Sequence, residues 1–173
     1  MNLYPNVLVN SVTEITIEML RKNNIKALML DVDNTLVDYT KIINDDIIKW
    51  AKNLKGQGIK LYILSNTNDE KKLKYVGEKL GIPYEKFAMK PLKIGFRKVQ
   101  KELKEDFEKI GMVGDQIFTD VLGGNRCKMF TILVEPINEK DYWYTQWKRP
   151  LEEKIKRQYL NSNSEGEKNN VFK

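Results

Sequence analysis

Histidine occurs nowhere in this chain, and cysteine occurs once. The first absence removes Ser–His–Asp and Cys–His hydrolysis, together with every site that needs imidazole as a base or a zinc ligand. The second removes an internal disulfide, because Cys127 has no second thiol to meet; a reducing, cytoplasmic setting is the simple expectation. Long apolar runs are missing too. None approaches the roughly 20 residues that span a bilayer. The opening MNLYPNVLVNSV has neither the basic start nor the apolar stretch of a signal peptide. Chemistry in this chain must run on carboxylates, lysines, hydroxyls or a hard metal ion.

What is present describes a globular protein. Hydrophobic residues make up 41% and charged residues 31% of 173, enough for one domain with a sizeable core. We expect that domain over residues 1–160, with the polar stretch 161–173 (NSNSEGEKNNVFK) disordered. A formal charge of +6 favours anionic partners: phosphorylated metabolites, nucleic acid or an acidic membrane surface.

Buried strands and helices alternate along the chain. Ser11 and Glu14 have capping-box spacing before an apolar face of Ile15, Met19 and Leu20. Lys26–Leu30 reads as a buried strand that ends abruptly in Asp31. Asn44 opens a helix with Ile47, Ala51 and Leu54 on one face, and Ile59–Leu64 is a second buried strand ending in Ser65. A helix is predicted over Asp69–Leu80 with Gly81 as its stop. Phe87–Met89 should be extended and lead to Lys90-Pro91, with a helix following through Ile94, Val99 and Leu103. Ile110–Val113 and Met129–Val134 are the remaining strands, and a short helical turn follows Asp120. Residues 139–160 look helical, interrupted at Pro150, which suits the first turn of a new helix.

Such alternation predicts an α/β protein: a three-layer parallel sheet with helices on both faces. In these sheets ligands bind at the carboxyl ends of the strands. Asp31, Asp33, Ser65, Lys90 and Asp115 all fall at strand ends, so they should converge on one rim.

Asp31-Val-Asp-Asn-Thr35 is the strongest local signal. Two carboxylates two residues apart in a small crevice call for a cation, and an oxygen-rich site of this kind suits Mg²⁺. One carboxylate can attack phosphorus while the other protonates the leaving oxygen and later activates water. Ser65, with the amides of Asn66 and Thr67, can bond phosphate oxygens at a helix start. Lys90 offers a fixed positive charge, and Asp115 and Asp120 add acids on the metal side.

With DVDNT, Ser65, Lys90-Pro91 and GDQIFTD in that order, the sequence resembles the haloacid dehalogenase superfamily in its phosphatase form. The matched core runs from about residue 26 to 134. The resemblance implies a Rossmann-like fold, with Asp31 as nucleophile and Asp33 as general acid/base. It implies Mg²⁺ held by the Asp31 side chain, the Asp33 backbone carbonyl and Asp115, with Ser65, Asn66 and Lys90 on phosphate and Asn34, Thr35 and Asp120 in support. The segments YPNVLVNSVTEI, KALMLDVDNTLVDY, LYILSNT, AMKP and VGDQIFTDVLGGN are similar to subclass IIIA phosphatases of the YqeG type. Those are related to mitochondrial phosphatases of phosphatidylglycerophosphate.

The segments Val37–Gly58 and Thr67–Met89 are too short for a large cap domain. An open crevice favours phosphate borne on something large, such as a lipid head group, a protein or a nucleic-acid end. Trp143, Trp147, Leu151, Ile155 and Tyr159 recur every four residues among basic neighbours. They either pack on the sheet or lie at a membrane surface, which would place the protein peripherally at the inner membrane face. The expected partner is a phosphate-bearing substrate, with membrane lipid first; no specific nucleic acid is predicted. A soluble metabolite remains an alternative substrate. Two further classes compete, a phospho-receiver signalling domain and a non-catalytic scaffold. A receiver takes phosphate on a middle strand after an acidic pair on the first, whereas here the Asp-x-Asp pair comes first.

Overall fold

A computed structural model describes residues 2–138 and 148–170 of the chain. Six parallel strands form one sheet in the order β1-β6-β5-β2-β3-β4. They are β1 (Val7–Val9), β2 (Ala27–Leu30), β3 (Lys60–Leu64), β4 (Tyr84–Glu85), β5 (Ile110–Gly114) and β6 (Phe130–Val134). The helices are α1 (Ile17–Lys22), α2 (Asp45–Gly56), α3 (Glu70–Leu80), α4 (Lys93–Leu103), α5 (Leu122–Arg126) and α6 (Arg149–Asn170). The expected parallel α/β architecture is the one found.

β2 sits mid-sheet and is wholly buried, which is why it reads as an uninterrupted apolar run. Its side chains alternate between two cores. Leu28 and Leu30 join Leu61, Ile63, Val113 and Ile132 beneath Trp50, Leu54, Leu73 and Val76 of α2 and α3. Ala27 and Met29 join Met112 beneath Phe96, Val99 and Leu103 of α4. Helices therefore cover both faces, giving three layers. The segment between β2 and β3 holds one loop and α2, and that between β3 and β4 holds α3, so no large cap intervenes.

Local chemistry explains the boundaries. Asn44 caps α2 through Asp46 N–H at 3.4 Å, Asp69 caps α3 through Lys72 N–H at 3.1 Å, and Gly81 ends α3 in the left-handed conformation. The N-terminal reading needs correction. Ser11 caps a 3-10 turn, Val12–Glu14, and Glu14 at its end accepts from Asn10 N–H at 2.9 Å. α1 begins after it, capped by Thr16. The extended reading of Phe87–Met89 is also overturned: Phe87 and Met89 take positive φ of 51° and 55°, while Ala88 between them is buried.

Pro150 lies in the first turn of α6, where its missing N–H costs nothing. α6 continues through residues 161–170, where composition predicts disorder, and Leu160–Ser164 are exposed. Ile155 is buried against Ile117, Val121 and Leu133, and Tyr159 stacks near Tyr4 with ring centroids 5.9 Å apart, whereas Leu151 is exposed. Trp143 and Trp147 lie outside the described residues. Among the described residues no helix is long and apolar enough to cross a membrane.

Candidate active site

The carboxyl ends of β2, β3, β4 and β5 bring the acidic and basic candidates onto one rim. Asp31 directly follows β2 and extends its ladder, donating its backbone N–H to Val113 O at 2.9 Å. The following turn is tight: Thr35, Leu36 and Val37 all donate N–H to Val32 O, and Asn34 N–H donates to Val37 O at 2.7 Å. Asn34 accomplishes this at φ 59°, a region that asparagine tolerates better than most residues. Thr35 is buried, and its hydroxyl donates to Asp115 Oδ1 at 3.4 Å. Both residues thus brace the loop that carries Asp31 and Asp33.

Lys90 is the electrostatic centre. Its ammonium donates to Asp31 Oδ1 at 2.8 Å and Asp120 Oδ1 at 2.7 Å, and its side chain is only 2% exposed. Burial alone would depress this lysine, but the Asp120 and Asp31 charges hold its ammonium well above the ordinary range. Burial pushes Asp31 up to about 6 against the opposing pull of Lys90. Asp115 is raised well above the usual carboxylate range, by burial first and then by the charges of Asp31 and Asp120, with Arg149 opposing.

Asp31, Asp115 and Asp120 each offer a carboxylate oxygen, and these three atoms lie within 4.8 Å of one another. Three hard, buried oxygen donors this close fit a divalent cation that prefers oxygen ligands. Asp120 reaches the cluster because the backbone after β5 winds as a π-helix, Ile117–Val121, whose first turn places Gln116 N–H on Asp120 Oδ2 at 3.1 Å. Gly114 is needed beside it: a Cβ there would collide with the Asp120 carboxylate.

Ser65 and Asn66 sit differently from expectation. Ser65 is buried after β3, yet α3 starts at Glu70 with Asp69 as its cap, so Ser65 is not at the helix start. Its hydroxyl instead accepts from Thr67 N–H at 3.2 Å. The Asn66 side chain clamps the backbone of Lys90, accepting its N–H at 2.7 Å and donating to its carbonyl at 3.0 Å. That bracing holds the lysine over Asp31.

Two cations escape the sequence reading. Lys72, on α3, donates to Asp33 Oδ1 at 2.6 Å with its own side chain 4% exposed. A signal for it exists: Lys72 occupies the buried stripe that continues through Val76 and Leu80. Arg149, at the start of α6, donates to Asp115 Oδ2 at 2.7 Å and Asp115 O at 3.1 Å, and is held by Glu152 at 3.3 Å. No sequence pattern points to it, because its partner lies 34 residues earlier. Burial raises Asp33 and the Lys72 hydrogen bond opposes that rise. A cleft of about 770 Å³, lined by Thr35, Val37, Ile43 and Pro136, does not include Asp31, Asp33 or Lys90.

An Asp-x-Asp loop after the central strand, a lysine bridging its first carboxylate, and a buried acidic pair after β5 define a phosphatase of the haloacid dehalogenase type. Comparison with known proteins specifies it further. A family model described as "Mitochondrial PGP phosphatase" matches residues 1–138, and the chain belongs to this family. It is 38% identical over 152 residues to "Probable phosphatase YqeG" of Bacillus subtilis (strain 168), covering 87% of this chain and 88% of that one. It is 27% identical over 146 residues to "Phosphatidylglycerophosphate phosphatase 1, chloroplastic/mitochondrial" of Arabidopsis thaliana, covering 79% of this chain and 42% of that one. Among solved structures, the cobalt-bound deoxy-D-mannose-octulosonate 8-phosphate phosphatase of Haemophilus influenzae superposes with a TM-score of 0.53 at 19% identity, over 65% of this chain and 69% of that one. This last likeness speaks for the fold.

Proposed function

We propose that the chain hydrolyses a phosphate monoester in two displacements through Asp31, with Mg²⁺ as cofactor and phosphatidylglycerophosphate as substrate. The observation that carries the reading is the Lys90 bridge: one buried ammonium fixes Asp31 beside the acidic group formed with Asp115 and Asp120. In the first displacement an Asp31 carboxylate oxygen bonds to phosphorus as the phosphorus–ester oxygen bond breaks. Asp33 gives its proton to the departing alkoxide. In the second, Asp33 takes a proton from water, whose oxygen bonds to phosphorus as the acyl–phosphate linkage breaks and Asp31 is restored.

Raised by burial, Asp33 is suited to carrying a proton, and Lys72 orients its carboxyl and limits the rise. Lys90 and Ser65 are the groups we assign to the phosphoryl oxygens, with Asn66 positioning Lys90. Asp31 and Asp115, with the Asp33 carbonyl, would hold Mg²⁺, and Asp120 would support them. When bound, such an ion would supply charge neutralisation for the attack of a carboxylate on an anionic phosphoryl group. The family's own description supports the lipid substrate, as does the uncapped rim, which leaves room for a phosphate displayed at a surface.

The test is phosphate release with Mg²⁺ from phosphatidylglycerophosphate in mixed micelles, beside a panel of soluble phosphomonoesters and with Asp31→Asn as blank. Release from the lipid well above the panel, absent from the variant and from chelator-treated enzyme, is the expected result. Turnover confined to soluble esters removes the lipid assignment, and turnover that survives Asp31→Asn removes the mechanism.

A further inference from the structure

The residues around Lys90 break several local rules at once, and each break puts a large apolar side chain into solvent. Phe87 and Met89 hold positive φ, a region disfavoured for bulky side chains, yet they are 62% and 40% exposed. Ala88 between them is buried, and Gly95 packs so closely on it that a Cβ would strike the Ala88 carbonyl, so the excursion is held from beneath. Leu92 occupies the N-cap of α4 with no side-chain capping bond, where a small polar residue is preferred, and is 47% exposed. Ile94 in the first turn of the same helix is 59% exposed. Core packing accounts for none of these choices.

The catalytic loop carries the matching feature, with Tyr39 63% and Ile42 68% exposed. Contacts join the two patches across the rim. Lys41, between those residues, pairs with Asp69 at 2.9 Å, and the adjacent Glu70 pairs with Lys86 at 2.7 Å, next to Phe87. Charge is one-sided along the segment that leads into α4. On the Phe87–Ile94 side, residues 86–101 contain Lys86, Lys93, Arg97, Lys98 and Lys101 besides the buried, paired Lys90, and no acidic residue, whereas the loop side carries Asp38, Asp45 and Asp46. Glu70 and Glu85 offset only Lys86 and Lys98.

From this we propose that the apolar rim formed by Tyr39, Ile42, Phe87, Met89, Leu92 and Ile94 is a docking surface for an anionic phospholipid bilayer. Apolar side chains enter the boundary of the acyl chains while the neighbouring lysines and arginine meet the head groups. The inference rests on the lipid-substrate reading and gives it an orientation: the strand ends carrying Asp31 and Lys90 face the membrane. A lipid phosphate then reaches the site without leaving its leaflet.

The test uses the full chain and vesicles of phosphatidylglycerol in phosphatidylcholine, which contain no hydrolysable phosphomonoester. Wild-type protein should cosediment with them, less at high salt and less with phosphatidylcholine alone. Phe87→Asn/Ile94→Gln should reduce the partition coefficient by about tenfold. Because asparagine suits a positive φ, the variant should unfold at no lower temperature, and its turnover of p-nitrophenyl phosphate should match wild type. Wild-type protein that ignores the vesicles, or a variant that binds them as well as wild type, overturns the docking surface. So does a wild-type dimer in sedimentation velocity that the variant dissolves, since the rim would then belong to a second copy. Hydrolysis of detergent-dispersed phosphatidylglycerophosphate is scored separately. Hydrolysis without vesicle binding leaves the substrate standing and removes the surface; rim-dependent binding without hydrolysis does the reverse.

Discussion

Replacing Lys90 with methionine keeps most of the side chain's volume and removes the charge that Asp31 and Asp120 share. Lys90 and Asp120 are 2% and 1% exposed at their side chains, and Asp31 is 10% exposed, so water cannot replace the lost ammonium. Breaking a buried pair from one side costs roughly 3–5 kcal/mol, because the remaining charge is stranded. The sign of the pH dependence follows from Asp31. Its folded-state value of about 6 lies above its ordinary 3.8, so its stabilising contribution is complete below pH 4 and is lost as pH rises through 6. That difference is worth about 3 kcal/mol in the native protein. Without Lys90, whose charge opposes the rise, the folded-state value climbs further and the loss extends toward neutral pH. Lys90→Met should therefore show its full deficit near pH 8 and a much smaller one near pH 5. Urea unfolding in chelator at both pH values, followed by tryptophan fluorescence, measures it; Trp50 is buried with its indole N–H donating to Ile15 O at 2.9 Å. A deficit that stays constant across this range refutes the argument that stranded carboxylates carry the cost.

Three further outcomes are expected. Lys72→Met should lower kcat on soluble phosphomonoesters by about tenfold to a hundredfold with little change in KM, and move the alkaline limb of the rate profile to higher pH, because Asp33 must start protonated and a charge opposing its rise is gone. An unchanged profile in a folded variant contradicts that role. Gly114→Ala should destabilise by about 1–3 kcal/mol in thermal unfolding and lower turnover, since the Asp120 carboxylate it displaces is anchored at both oxygens. Asn66→Ala should remove both bonds to the Lys90 backbone, cost about 1–3 kcal/mol and slow turnover several-fold; full activity would show that Lys90 needs no such clamp.

The parts legible in the sequence share one physical cause. Strands buried on both faces, such as β2, must be continuously apolar, so a carboxylate just past one stands out and its place on the rim follows from the parallel topology. Asp31, Asp33 and Asp115 stand out on that ground, whereas Lys90 follows no buried strand and is marked only by its place before Pro91 in the motif order. Lys72 hid inside an amphipathic pattern: among the lysines of α3 only a count along the Lys72–Val76–Leu80 stripe separates the buried one from the solvated ones. Arg149 belongs to another helix and reaches Asp115 through tertiary packing alone, which no local pattern encodes. Edge strand β1 is three residues long and too brief for periodicity to register. The left-handed backbone at Phe87 and Met89 runs against residue preference, so propensity pointed to the wrong conformation there.

The pairing of β1 with β6 sets a timetable. Val7 stands opposite Ile132, and the Asn6 side chain accepts from Thr131 N–H at 2.8 Å, yet more than a hundred residues separate them along the chain. At ordinary rates of synthesis the ribosome takes about 6–25 s to cover that distance. During this interval β2, β3 and β5 can assemble the centre of the sheet, while β1 waits without its ladder partner. Its three-residue length leaves few backbone groups for another chain to capture meanwhile. The strand that ends in Asp31 meets its neighbours before the edge closes, so on this timetable the Asp31–Asp33 loop is housed before the fold is sealed.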